Sequence, residues 1–416
     1  MTGSLLTSTE TFRQETADVL TRLRASLSKA LSLYSSDGTL KSRDLQKRLG
    51  VDTRLSWQVA RIINADDPLD LTTHIPSPAL LQKLLTAARA KGASEQSLAN
   101  VVDAYGAFEQ LIQHYAGDRT SFDAIMARIV GGDVDAQLEL AHRRSIFEGH
   151  KYVWGIALET FAAARILHPS KDKPGIFDCA HVRYKQNLQR LNTNVPIIVD
   201  IKKYIFPAAP PPQMAPIDPE AAAKYGMAII PAFCSRPDLQ LKHRELATGG
   251  VLVEWDSDTL GKPSAITLAF GDIDQSDLFE REGNRKGFSG MVATGTPTEL
   301  SVQDILVPRK LVTGVTCEIQ RLGHVGYPLL EMRPGDDKLP LPELPCRERM
   351  AFLGAGEAAA HLPEAPRYSD LLQHVCKVAG WDMKDFDVYR VRMEYPLLDT
   401  ILGVHYTFLG SEKWDK

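Results

Sequence analysis

The stretch "RDLQKRLGVDTRLSWQVARII", residues 43–63, places two short amphipathic runs on either side of Gly50. In the first run, Leu45 and Leu49 are four residues apart, so they share one face of a helix. Gly50 permits the left-handed backbone that a tight turn requires. Asp52 is a favourable N-cap for a second helix. The pattern predicts two helices joined by a tight turn.

The second run has two chemically different stripes. At about 100° per residue, one stripe consists of Leu55, Val59 and Ile62 and predicts the buried face. The opposite stripe carries Arg54, Trp57, Gln58 and Arg61. Arginine and glutamine suit bidentate hydrogen bonds to guanine and adenine edges. This stripe therefore predicts a surface that reads bases.

The local charge differs from that of the whole chain, which is −4. Residues 41–63 contain two acidic residues and six basic ones, Lys41, Arg43, Lys47, Arg48, Arg54 and Arg61. Screening limits the reach of exposed charges to about 8 Å at physiological salt, so local charge governs phosphate contact. We expect Lys41, Arg43, Lys47 and Arg48 to bind phosphates. Thr53 completes the predicted DNA-binding set.

These residues resemble the helix-turn-helix of bacterial transcriptional regulators, most closely at Leu45, Leu49, Gly50, Val51 and Val59. The resemblance implies that double-stranded DNA is the partner and that the second helix lies in the major groove. Gln46 stands where that motif usually has alanine, and Ser56 where it usually has an aliphatic residue; these two departures leave the angle between the helices open. No strand pair follows Ile63, so a winged variant is not expected.

Two alternatives remain open for this stretch. In the first alternative to DNA binding, the helices are two solvated surface helices of an all-α domain, and their arginines are exposed because charged residues are mostly found at the surface. Trp57 is either a wedge against DNA or a side chain packed under a helix at residues 77–92.

In the first third of the chain, apolar residues recur at three- and four-residue spacing, which predicts helices. Further helices are predicted over residues 11–33, 77–92, 95–115 and 121–130, with a turn at 35–39. We therefore predict an all-helical DNA-binding domain over residues 1–130. The broad apolar faces within 77–115 supply either a dimer interface or the domain's own core.

The rest of the chain, residues 131–416, predicts a body with both helices and strands. Residues 131–206 read as a helical connecting region, helical over 136–167, that ends in a strand at 195–206. Residues 207–226 contain six prolines, all between 207 and 219, and predict a linker or a packed loop. Residues 227–416 predict an α+β sensor or assembly domain. Its expected elements are a hairpin at 249–271, strands at 287–294, 304–307 and 311–320, a helix at 368–381 and two final strands. The predicted class is α+β multidomain with antiparallel strands.

Candidates for catalytic, cofactor or metal chemistry are weak. "FLGAGEAAA" (352–360) contains G-x-G-x-x-A, but Pro363 limits any following helix and no βαβ unit follows. Asp178, Cys179 and His181 lack the paired spacing of a structural zinc site, so structural roles are expected. "HRRSIFEGHKYVWG" (142–155) is basic, and we expect it to neutralise a helix end rather than to bind an anionic ligand. We predict no catalytic residue, no metal and no cofactor.

The composition indicates the class of protein and the compartment in which it is expected. The chain is 44% hydrophobic and 24% charged, as in soluble globular proteins, with no run near the ~20 apolar residues that cross a bilayer. Five cysteines without regular spacing predict a reducing cytoplasm and no disulfide framework.

The expected function is a homodimeric, sequence-specific DNA-binding transcriptional regulator whose body senses a small-molecule ligand or mediates assembly. The alternatives are an enzyme with its active site in the body, and an assembly protein that uses the helix pair for protein contacts. Residues 142–155 and "PRYSDLL…GW…YRVRMEYP" loosely resemble the bodies of uncharacterised bacterial helix-turn-helix proteins.

Overall fold

The chain forms two compact units, Met1–Leu138 (unit 1) and Glu139–Lys416 (unit 2). The computed structural model describes residues 2–34, 40–65, 67–130, 133–171, 173, 176–202, 214–236, 239–245, 251–255, 259–276, 278–281, 285–323 and 342–411. The predicted turn at 35–39 and the prolines of 207–213 lie outside these residues. The fold class is α+β, as predicted: a helical N-terminal part precedes a body of mostly antiparallel strands.

The described secondary structure of unit 1 is helical. Its helices are α1 (Thr2–Leu31), α2 (Ser42–Leu49), α3 (Thr53–Asn64), α4 (Pro78–Ala90), α5 (Glu95–Tyr115) and α6 (Arg119–Val130), with 3₁₀ turns at Ser32–Tyr34 and Pro68–His74. The predicted helices are confirmed. Helix α1 begins well before the predicted residue 11. The prediction missed its first turns because the segment before Phe12 lacks a regular apolar period.

One apolar core holds unit 1 together. Leu23 of α1, Leu55 of α3 and Phe108 of α5 are all buried within it. Full burial of such a side chain contributes about 1.5–3 kcal/mol. The apolar faces of α4 and α5, represented by Leu84 and Val101, belong to the same core. These faces are therefore consumed inside the unit and do not form a free dimer interface.

The prediction of helix over 136–167 is wrong in its second half. Helix α7 spans Asp133–Trp154, Gly155 has φ +62°, and strand β1 follows at Ile156–Pro169. Successive residues Ala162, Ala163 and Ala164 are all buried, so both faces of β1 are covered. A strand covered on both faces shows no alternation of apolar and polar residues. Its alanines then favour helix by propensity alone.

The described residues of unit 2 form three sheets. The remaining strands are β2 (Phe177–Arg190), β3 (Ile197–Lys202), β4 (Ala215–Pro216), β5 (Leu241–Glu245), β6 (Val251–Trp255), β7 (Ile266–Ser276), β8 (Phe279–Arg281), β9 (Arg285–Ala293), β10 (Thr298–Pro308), β11 (Gly314–Gly323), β12 (Glu343–Leu344), β13 (Met350–Ala355), β14 (Phe386–Glu394) and β15 (Thr400–Leu409). The helices are α8 (Pro219–Tyr225), α9 (Gly356–Ala359) and α10 (Tyr368–Ala379). The sheet orders are β13-β14-β10-β1-β2-β7-β4, β12-β11-β15-β9-β8 and β3-β6-β5.

The predicted hairpin at 249–271 is wrong, although both of its strands exist. Strand β6 pairs with β3 and β5, whereas β7 pairs with β2 and β4 in another sheet. A turn-rich segment between two strands does not reveal which strands pair. The predicted strands at 287–294, 304–307 and 311–320, the helix α10 and the two final strands are confirmed.

The seven-stranded sheet of unit 2 has two differently covered faces. Val182 and Tyr184 share a core with Tyr368 and Leu371 of α10. On the opposite face, Cys179 shares a second core with residues of the five-stranded sheet. Strand alternation therefore puts the odd-numbered residues of β2 on the face that carries the cavity described below.

Candidate functional site

The turn between α2 and α3 depends on Gly50. This residue has φ +69° and ψ +23°, and its N–H donates to the carbonyl of Gln46 at 3.0 Å. A Cβ at this position would meet nothing within 4 Å, so backbone conformation rather than space favours glycine here. Val51 is buried directly after the turn. The predicted pair of helices joined by a tight turn is present.

Asp52 fixes the start of α3. One carboxylate oxygen accepts the N–H of Leu55 at 2.8 Å, and the other lies 3.2 Å from Nζ of Lys83 on α4. The backbone hydrogen bond from Leu55, followed by that from Lys83, lowers the pKa of Asp52. The predicted N-cap is therefore made, and it also links α3 to α4.

The inner stripes of both helices are buried as predicted. Leu45 and Leu49 of α2 and Leu55, Val59 and Ile62 of α3 all lie in the core of unit 1. The opposite stripes are thereby directed away from that core.

The two departures from the helix-turn-helix pattern both bind Thr53. Nε2 of Gln46 donates to Oγ1 of Thr53 at 3.0 Å, and Oγ of Ser56 donates to its carbonyl at 2.9 Å. The Gln46 side chain thus ties α2 to the first turn of α3, whereas the Ser56 bond lies within α3. Thr53 is exposed, as a DNA-contacting residue must be, but its hydroxyl already accepts the bond from Gln46.

Six exposed cations lie on α2, on α3 and just before α2. We call this set the basic face, and it comprises Lys41, Arg43, Lys47, Arg48, Arg54 and Arg61. Arg48 donates to the carbonyl of Leu33 at 3.3 Å. The other five form no ion pair with the residues that the structure describes. Their charges are therefore available to a partner.

Trp57 stands on the basic face and is 47% exposed. Its ring meets the His74 ring edge to face, with centroids 5.1 Å apart. The Arg61 guanidinium lies over the indole at 5.7 Å from the centroid. Burial and then the Arg61 charge lower the pKa of His74. Trp57 thus packs on the 3₁₀ turn Pro68–His74, keeps half of its surface open, and orients Arg61.

Gln58 differs from the predicted base-reading geometry. It is half-buried, and its Oε1 is buried without a hydrogen-bond partner among the described residues. A bidentate contact to adenine uses both the oxygen and the nitrogen of the amide. Gln58 can make that contact only after its side chain rotates.

A cavity of about 950 Å³ lies in unit 2. Its walls include one face of β1, β2 and β7, part of β9, and residues between Met214 and Ala228. The cationic or basic side chains at its wall are Arg165, His181, Arg183 and Lys185. Sequence reasoning missed this group, because β1 was predicted to be helical and β2 was not predicted at all.

Asp272 of β7 faces the same cavity. It is 7% exposed, and its Oδ1 is buried with no hydrogen-bond partner in the described part of the chain. Burial raises its pKa against the opposing effects of His181, Arg183 and Arg165. A perturbed, unsatisfied carboxylate at a cavity wall is a marker of a binding or reaction site.

The sequence candidate around Cys179 resolves into a different set of residues. Donor atoms of Cys179, His181 and Asp274 lie within 4.8 Å of one another, and Nε2 of His181 is 2.9 Å from Oδ1 of Asp274. Asp178 projects from the other side of β2 by strand alternation. Thiol, imidazole and carboxylate are three of the four ligands that a tetrahedral zinc site uses. Asp274 was missed because β7 is remote in sequence.

The two remaining sequence candidates have structural roles. Arg143, in the basic stretch 142–155, pairs with Glu348 at 2.9 Å inside unit 2. The stretch 352–360 forms β13 and the four-residue helix α9, too short for a dinucleotide-binding unit.

No protein-family model matches this chain, and a search of curated proteins found no relative. In the described residues, no helix is both long and apolar enough to cross a lipid bilayer. Function is therefore inferred from the geometry of the basic face and of the cavity.

Proposed function

We propose that this chain is a sequence-specific, DNA-binding transcriptional regulator of the cytoplasm. Helix α3 enters the major groove, and unit 2 senses a ligand or mediates assembly. The observation that carries the proposal is the basic face: it has six exposed cations, five of which form no ion pair with a described residue, on two helices whose inner stripes are buried. Cations left free on a helix–turn–helix pair provide both phosphate and base contacts.

The residues divide by position. Arg54 and Arg61 project from α3 and are assigned to guanine edges, which arginine binds in a bidentate manner. Lys41, Arg43, Lys47 and Arg48 surround α2 and are assigned to phosphates. The open half of the Trp57 ring is available for an apolar contact beside Arg61.

The active species in this proposal is a homodimer. One helix–turn–helix buries little surface, and useful affinity normally comes from two copies on two half-sites. Because α4 and α5 use their apolar faces in the core of unit 1, the dimer contact is assigned to another surface.

The test is selection of binding sites from a random DNA pool with the full chain, followed by affinity measurements on the enriched site. Each lost bidentate contact costs about 1–3 kcal/mol, so Arg54→Ala plus Arg61→Ala should weaken specific binding by at least about 30-fold. The matched control is Arg13→Ala plus Arg22→Ala, which removes the same charge from exposed positions of α1.

An enriched palindrome, bound by the control and not by the α3 variant, supports a sequence-specific dimer. Equal affinity of the two variants for the enriched site overturns the assignment of α3.

A second candidate function is an enzyme with its active site in unit 2. The cavity and the perturbed pKa of Asp272 favour it. Turnover of a substrate that is lost in Asp272→Asn, in a chain without specific DNA affinity, would select this candidate over the regulator.

A further inference from the structure

We propose that the cavity of unit 2 binds a small organic anion that carries an N–H or O–H donor close to its carboxylate or phosphate group. The inference deepens the proposed function by naming the ligand class of the sensing unit. Only the regulatory consequence rests on DNA binding; the binding site itself does not.

Strand register brings the charged groups of the cavity together. Arg165 of β1 lies directly opposite His181 of β2, and His181 lies directly opposite Asp272 of β7. Directly opposed residues of neighbouring strands have Cβ atoms about 4.5–5.5 Å apart. Arg183 lies two residues along β2 on the same face, about 7 Å from His181. A guanidinium and a carboxylate thus stand two strands apart on one surface.

Arg165 is the principal candidate to hold the anion. Its guanidinium makes a long bond of 3.3 Å to the adjacent carbonyl of Ala164 and no ion pair with a described residue. Lys185 is instead directed to the carbonyl of Val199, at 2.7 Å. The guanidinium of Arg183 is oriented by Phe270, whose ring centroid is 5.3 Å away. Arginine binds carboxylate and phosphate in a planar, bidentate manner.

Asp272 is the candidate to accept a hydrogen bond from the N–H or O–H group of the ligand. Its side chain is more than nine-tenths buried, and Oδ1 has no partner among the described residues. The neighbouring imidazole of His181 bonds to Asp274. A buried, unsatisfied polar atom is unfavourable and uncommon in folded proteins. A ligand N–H or O–H would satisfy Oδ1, on the strand two places from the one that carries Arg165.

The rest of the wall selects for an apolar part in the ligand. Phe161, Met214, Met227 and Met291 line the cavity. Methionine side chains adapt to irregular apolar shapes. A volume of about 950 Å³ lies within the range of small-molecule sites, about 300–1,000 Å³.

The test is calorimetric titration of the full chain with probes that separate the three ligand features. The probe 3-phenyllactate carries a carboxylate, an adjacent hydroxyl and an aromatic ring. In 3-phenylpropionate the hydroxyl is missing, and in 2-phenylethanol the carboxylate is missing. Ribose 5-phosphate and ribose form the phosphate arm. Loss of one hydrogen bond to a charged group corresponds to about 10-fold or more in affinity.

We expect 3-phenyllactate or ribose 5-phosphate to bind at millimolar concentration or below, and the matching probe without the anion or the hydroxyl to bind at least about tenfold more weakly. The arm that binds identifies the anion. Failure of both complete probes, or equal affinity of complete and truncated probes, overturns the proposal. These comparisons use the unaltered protein and need no variant to fold.

Two variants then locate the contacts. Arg165→Gln should weaken every anionic probe, and Asp272→Leu, which has no hydrogen-bond acceptor, should remove the difference between 3-phenyllactate and 3-phenylpropionate. Lys310→Gln, at an exposed surface pair with Asp385, is the control and should bind as the unaltered chain does. Unchanged binding by both cavity variants places the ligand elsewhere and overturns the assignment.

The failure of this proposal is distinguishable from failure of the proposed function. Probe binding is measured without DNA, so it stands even if no DNA site is enriched. Where both activities are present, a shift in DNA affinity on addition of the binding probe connects them. Enriched DNA without any probe binding overturns the cavity proposal alone.

Discussion

Arg390 and Asp304 form a bidentate ion pair across β14 and β10, with Nε–Oδ1 and Nη2–Oδ2 distances of 2.8 Å. Both side chains are buried. The guanidinium also donates to the carbonyls of Ala360 and His361, just after α9. The pair therefore connects the centre of the seven-stranded sheet to the segment that leads into α10.

Removing one member of this pair should destabilise unit 2 strongly. Asp304→Asn leaves the buried guanidinium without its countercharge, at an expected cost of about 3–5 kcal/mol in the free energy of unfolding. Urea unfolding monitored by the tryptophans of unit 2 measures the change. The control is Glu364→Gln at the half-exposed pair with Arg392, with an expected cost below about 1 kcal/mol. Equal losses in the two variants would contradict the prediction.

Two glycines of unit 1 should respond to alanine in opposite directions. Gly50→Ala forces a Cβ into the left-handed conformation and should destabilise the helix pair by about 1 kcal/mol. Gly106→Ala, within α5 at a position where a Cβ meets nothing within 4 Å, should stabilise unit 1 by about 0.5–1 kcal/mol. Thermal unfolding of both variants checks the signs. The same sign for both would refute the conformational argument.

The phosphate-binding assignments predict a salt dependence. Arg43→Ala and Lys47→Ala should each lower affinity on every DNA sequence. Each should also reduce the slope of log affinity against log salt by about 0.9, the value for one released counterion. Fluorescence anisotropy across a salt series measures the slope. Arg22→Ala, from an exposed position of α1, should leave it unchanged.

The cap at Asp52 predicts a pH dependence of α3. Its pKa is lowered in the folded chain, chiefly by the Leu55 N–H, so the ionised form adds stability above the unfolded pKa near 3.8. This contribution is lost as pH falls through the folded pKa. The hydrogen-exchange protection factors of α3, which are corrected for the intrinsic pH dependence of exchange, should therefore fall on acidification in the unaltered chain and fall less in Asp52→Asn. Parallel pH profiles would exclude the contribution of the cap.

For Asp272 in unit 2, we predict a pH dependence of stability of opposite sign to that of Asp52. Burial raises its pKa, so its contribution to stability is full below the unfolded pKa and is lost as pH rises through the folded pKa. Asp272→Asn should be more stable than the unaltered chain at neutral pH, and the advantage should vanish at acidic pH. Urea titrations at several pH values, with no ligand added, test this. An advantage that grows toward acid would reverse the argument.

Local signals in the sequence predict unit 1 well and unit 2 only in part. Gly50 and Asp52 act through their own backbone neighbourhood, so the helix pair and its buried stripes follow from spacing. Strand β1 is different, because both of its faces are buried and its sequence shows no alternation of apolar and polar residues. The cavity depends on His181 and Asp272 meeting across β2 and β7, a non-local pairing that periodicity does not encode.

The contact between Arg61 and Trp57 has a consequence for the kinetics of encounter. An arginine in free solution samples many rotamers and loses that freedom on docking. Over the indole, much of this restriction is already present before any nucleic acid arrives. If DNA is the partner, as proposed, the duplex would meet a guanidinium group whose orientation is already restricted, which favours productive encounters.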